Sequence, residues 1–183
     1  MNSPQSKTRW PLTAVLLTAA LAATGCETTV PDADDEAPEI QLVMNGGGIG
    51  SQTMSNPPTE TWSAPTGGQL FDMTSDAEYT FTLTVTDDGG VARAALLMPA
   101  NFEVRNLSPD VRIVPLGLQQ SLQITGDRSS PRNALVVSGQ FSPPDSDSRN
   151  VSFSVEADDF GGSGRSTNQR FMLVEASLNS GLP

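Results

Sequence analysis

The sequence predicts an all-β domain, an antiparallel sandwich or barrel, placed behind an export leader. Two observations carry the fold class. Between residues 39 and 176, short runs alternate apolar and polar side chains with period two, and no helical period is sustained. Clusters of Gly, Pro, Asn and Asp separate these runs, as turns separate the strands of antiparallel structure. The run YTFTLTVT from Tyr79 to Thr86 is the clearest: an aromatic or aliphatic residue at every odd position and a threonine at every even one. β-Branched and aromatic residues on strict alternation mark a half-buried strand by pattern and by propensity together.

The chain opens differently. Residues 1–11 carry Lys7 and Arg9 and no acid, and residues 12–24 are an apolar run of Leu, Val, Ala and Thr. That run is far shorter than the roughly 20 residues a bilayer span needs, so it reads as a cleavable signal. It lacks a twin-arginine pair, which points to the general secretory route. It ends in Leu21-Ala22-Ala23-Thr24-Gly25-Cys26, and Cys26 is the only cysteine. This hexapeptide resembles the lipobox of bacterial lipoprotein precursors, departing from it only in having Ala23 where leucine is favoured. The resemblance implies cleavage before Cys26 and a diacylglyceryl thioether on its thiol. The mature protein is then expected at the bacterial cell envelope, with the lipid on Cys26 as its membrane anchor.

Residues 26–38 follow as a lipidated, flexible linker, CETTVPDADDEAP, rich in acid and proline with almost nothing to bury. The domain is expected over residues 39–176, with residues 177–183 as a C-terminal tail. Ile40, Leu42 and Met44 share one strand face. After residues 79–86, further strands are expected over 91–98, 102–105, 111–116, 121–125, 135–141, 151–156 and 170–176. Residues 45–68 read as one long loop rich in Gly, Pro, Ser and Thr, containing Trp62 and the flexible stretch from Gly46 to Gly50.

Two segments resemble one another. FTLTVTDDGGVAR (residues 81–93) and VSFSVEADDFGGSGR (residues 151–165) both run from an alternating strand through paired aspartates and paired glycines to an arginine. Both are expected to be hairpin-like corners built by one turn chemistry. With these corners the chain resembles the bacterial immunoglobulin-like and fibronectin-type modules of exported proteins. That resemblance implies an immunoglobulin-like antiparallel β-sandwich of roughly 7–9 strands. The chain departs from antibody-type domains in lacking both the cysteine pair and the core tryptophan of the third strand.

Composition narrows the chemistry. The chain has 21 acidic and 10 basic residues and no histidine. Removing residues 1–25 takes away Lys7 and Arg9 and no acid, leaving eight arginines, no lysine and a formal charge of −13. Such a surface repels nucleic acid and anionic lipid. Without histidine there is no Ser–His or Cys–His nucleophile and no imidazole-ligated zinc; without lysine there is no Schiff base and no phosphate-binding lysine. The expected function is therefore non-catalytic, a binding or structural module with an envelope protein or glycan as partner. Recognition is expected in residues 45–68 and 158–164, with Trp62 and Phe160 as the binding-loop candidates.

Calcium is the one cofactor the acid pairs suggest, with Asp87, Asp88, Asp158 and Asp159 as candidate ligands, since the ion takes six to eight oxygens. The same pairs also suit plain Asp–Gly turns. The alternatives to a simple binding module are a calcium-dependent adhesion or matrix module and a carboxylate-based carbohydrate-active enzyme.

Overall fold

In the strand β4 (Tyr79–Thr86), Tyr79, Phe81, Leu83 and Val85 are buried while Thr80 and Thr82 are exposed, so alternation divides inside from outside. The same rule builds two facing sheets. The computed structural model describes residues 34–47, 50–56, 70–75, 77–145, 149–161 and 168–179. Cys26 and Trp62 lie outside the described residues. One sheet has five strands in the order β2 (Ser51–Asn56), β1 (Glu39–Gly46), β4, β9 (Ala134–Ser142), β6 (Glu103–Arg105). The other has six, in the order β3 (Leu70–Thr74), β11 (Gln169–Asn179), β10 (Arg149–Asp159), β5 (Val91–Pro99), β8 (Gln119–Thr125), β7 (Arg112–Leu116). Every pairing is antiparallel except β3 with β11.

This is the expected all-β sandwich of two sheets, with eleven strands among the described residues against the expected 7–9. Its core is one apolar layer between the sheets, centred on Phe141. The Phe141 ring lies 5.4 Å from Tyr79, 5.8 Å from Phe102 and 5.6 Å from Phe153, centroid to centroid. Burying each such side chain contributes roughly 1.5–3 kcal/mol, and packing alone can hold a core without disulfides.

The extra strands correct the reading of residues 45–68 as one long loop. Asn45 and Gly46 end β1, and residues 51–56 turn back along it as β2, placing Met54 in the core. Gly46 and Gly47 make the turn with φ of 122° and 50°. A Cβ on Gly47 would fall on the Tyr79 ring, whose hydroxyl accepts a hydrogen bond from the Thr74 N–H at 2.8 Å. The glycine stretch thus begins as a hairpin turn packed on Tyr79. β3 pairs with the last residues of β11, which continues to Asn179.

The two similar corners also differ from expectation. β4 and β5 lie in different sheets, so residues 87–90 form an arch across the sandwich. β10 and β11 pair over ten positions in one sheet and do form a hairpin. Residues 34–38, the end of the acidic linker, lie against this hairpin. Asn168 Nδ2 donates to the carbonyls of Asp34 (2.9 Å) and Glu36 (3.2 Å), Arg170 Nη2 donates to that of Ala37 (3.2 Å), and Pro38 is buried. Backbone carbonyls that would otherwise face water find fixed donors there.

Candidate functional site: three carboxylates at one end of the sandwich

The arch and the hairpin bring Asp87 and Asp159 together, and the linker adds Asp34. Each offers a carboxylate oxygen, and the three oxygens lie within 4.8 Å of one another.

Asp87 follows directly on β4. Its Oδ1 accepts the Gly89 N–H at 2.9 Å and its own N–H donates to the Asn133 carbonyl at 2.9 Å. The turn also needs a glycine three residues on: Gly90 has φ of 98°, and a Cβ there would come 2.8 Å from Pro131 Cβ. Asp88 is exposed and takes no part in the cluster.

Asp159 sits at the end of β10, where the register against β5 shifts between Asp158 and Asp159. Asp159 keeps the inward parity of Val155 and Ala157, at 0 % exposure. Its Oδ1 accepts the N–H groups of Gly161 (2.8 Å) and Asn168 (2.7 Å), and its Oδ2 accepts Asn168 Nδ2 (2.7 Å). Asp34 Oδ1 accepts the Glu36 N–H at 3.2 Å, whereas its buried Oδ2 has no hydrogen-bond donor among the described residues.

Crowding acts on Asp87 most. Burial, then the charges of Asp34 and Asp159, push its carboxyl up from 3.8 to about 7, against the opposing Gly89 N–H; hydrogen bonding to Asp34 adds to the rise. The Asp34–Asp87 contact is a hydrogen bond only while one carboxyl holds a proton. With both ionised, Asp34 Oδ2 has no donor. The arrangement can therefore do one of two things near neutral pH: retain a proton, or take up a hard cation that satisfies all three carboxylates.

Of the four calcium candidates, the structure gathers Asp87 and Asp159 and leaves out Asp88 and Asp158. Asp158 lies on the outward face of β10, where Arg93 of β5 bonds it through Nε (2.6 Å) and Glu156 through Nη2 (2.8 Å). These bonds raise the Arg93 guanidinium despite burial, which is the largest influence and acts the other way. Asp34 was hidden in the acidic run 32–36, where nothing local distinguishes the acid that folds back. Asn168, which ties Asp34 to Asp159, gave no signal either.

Phe160, expected in a recognition loop, is buried at 7 % exposure. Its ring packs beneath the arch at Gly90, and Arg128 lies 5.7 Å over it while donating to the Phe160 carbonyl at 3.0 Å. It closes the end of the core. Among the described residues, the aromatic side chain that does face solvent is Phe171, 55 % exposed on β11. Its outward position follows from alternation with the buried Met172, a signal present in the sequence.

No protein-family profile and no characterised protein matches the chain in sequence. Solved structures similar in shape include the following two. One is AggA, the major subunit of aggregative adherence fimbriae type I from Escherichia coli, at 8 % identity and a TM-score of 0.41, covering 81 % of this chain and 98 % of that one. The other is a non-cellulosomal cohesin from the hyperthermophilic archaeon Archaeoglobus fulgidus, at 14 % identity and a TM-score of 0.34, covering 62 % of this chain and 86 % of that one.

Proposed function

We propose that the mature protein is a non-catalytic binding or structural module held at the bacterial cell envelope by lipid on Cys26. The observation that carries this reading is the single cysteine at the end of a short apolar leader, followed by an acidic spacer and one rigid sandwich. The thiol is the only group in the chain able to take a thioether-linked lipid. The spacer lifts the domain off the surface, and the −13 charge keeps it from lying on anionic headgroups. Catalysis by carboxylates finds little support in the acidic trio, since both oxygens of Asp159 already accept N–H groups. Cys26→Ala should leave an uncleaved, unlipidated precursor, read by intact mass and by labelling with a radioactive fatty acid. A processed, lipid-labelled variant would sink the anchor.

A second reading is favoured by the buried, donorless Oδ2 of Asp34: the module is calcium-dependent. Asp34, Asp87 and Asp159 would hold the ion, clamping the end of the spacer onto both corners. Calcium at a hundred times its dissociation constant should stabilise the full chain by about 2.7 kcal/mol. Asp34→Asn and Asp87→Asn should each remove most of that gain in thermal melts. Equal melting temperatures in calcium and in chelator would end this reading.

A further inference from the structure

We propose that the outward face of β10 and β11 carries a binding site for a neutral saccharide, with Phe171 as its platform. The proposal rests on the binding-module reading and deepens it. Register sets the site: Phe171 lies opposite Glu156, and Gln169 lies opposite Asp158, which lies opposite Arg93 on β5. These residues, with Arg170, line a depression of about 250 Å³. That is below the roughly 300 Å³ at which pockets for drug-sized ligands begin, and suits a single ring.

Three features select the ligand. The Phe171 ring is 55 % exposed on a rigid strand, and its neighbours Met172 and Val174 fill the core without it. It offers an apolar plane with no hydrogen-bonding group, a match for the C–H face of a pyranose. Arg93 then fixes two carboxylates beside it, using Glu156 Oε2 at 2.8 Å and Asp158 Oδ2 at 2.6 Å. Among the described residues nothing bonds the second oxygens, Glu156 Oε1 and Asp158 Oδ1, which are oriented acceptors for vicinal hydroxyls, and the Gln169 amide adds a donor and an acceptor. Finally, the local charge is largely offset. Arg93 holds one oxygen each of Glu156 and Asp158, while the Arg170 guanidinium is turned away to Asn56 Oδ1 and the Ala37 carbonyl, so one unit of negative charge is left here. A cationic ligand would gain nothing at this place over the rest of the surface, whereas hydroxyl groups gain fixed partners.

The test uses the full-length, detergent-solubilised protein. It is titrated calorimetrically with neutral oligosaccharides of hexoses and of N-acetylhexosamines, and separately with a lysine-rich peptide. At least one neutral sugar should bind saturably. Phe171→Ala should weaken it by about tenfold with an unchanged melting temperature, the range an aromatic contact commands. Glu156→Gln should weaken it too, while Leu173→Ser, on the same face beyond the depression, should not. The proposal is overturned if no neutral sugar binds, if Phe171→Ala binds as well as the wild type, if only the peptide binds, or if Phe171→Ala and Leu173→Ser both merely abolish self-association. A bound sugar that is hydrolysed would support the site and defeat the non-catalytic reading. An envelope partner still cross-linked by Phe171→Ala, with no sugar bound by either form, would defeat the site and leave that reading standing.

Discussion

The corner at Asp87 and Asp88 and the corner at Asp158 and Asp159 share a sequence pattern, yet one crosses between sheets and the other returns within a sheet. In the arch the first aspartate, Asp87, faces the cluster and the second, Asp88, faces solvent. In the hairpin the order is reversed: Asp158 is held outward by Arg93, and Asp159 faces inward. One inserted residue in the second segment, Ala157, accounts for the reversal. It extends the alternation by one place, and a shift of one position moves every following side chain to the other face. Turn chemistry recurs in both, but which aspartate reaches the site is set by strand parity.

Comparing Asp159 with Asp88 gives the largest expected effect. Asp159→Ala removes the acceptor of two backbone N–H groups and of the Asn168 amide, in a fully buried place. Removal also relieves repulsion on Asp87, but Asp87 already escapes much of it by holding a proton. The net cost should be roughly 3 kcal/mol or more in denaturant unfolding. Asp88→Ala, at the equivalent place in the other motif, should stay within about 0.5 kcal/mol. Equal costs would mean that the two corners are not opposite in parity.

Parity was legible where alternation was strict. Tyr79–Thr86 and the buried set Val151, Phe153 and Val155 could be placed on an inner face from the sequence alone. β2 could not: SQTMSN carries one apolar residue, Met54, because an edge strand with a single partner needs little apolar surface. β3 was missed for a related reason, since it is held by parallel pairing to a strand more than a hundred residues away. The site was half legible. Turn chemistry pointed to Asp87 and Asp159, but not to their meeting. Asp34 and Asn168 are 134 positions apart in sequence, so their contact is a property of the assembled fold.

The smallest effect separates the corners by pH. In chelator, Asp87 titrates at about 7 in the folded protein and at 3.8 when free of its neighbours. Between those values the folded state keeps a proton that the unfolded state has lost, so this group's stabilisation must fall as pH rises and be gone above about 7. An ion-paired or N–H-bonded carboxylate gives the opposite slope, gaining stability with pH. Because Asp87 is only partly buried, solvent screening keeps the change modest. Asp87→Asn should flatten the slope, since the amide neither titrates nor repels Asp34. Asp88→Asn should leave it unaltered. If calcium binds, it must displace the proton, and the slope should then turn upward over the same interval in the wild type alone. If the wild type and Asp87→Asn showed the same dependence of melting temperature on pH from 4 to 7 in chelator, the raised Asp87 titration, and with it the crowding of the three carboxylates, would be ruled out.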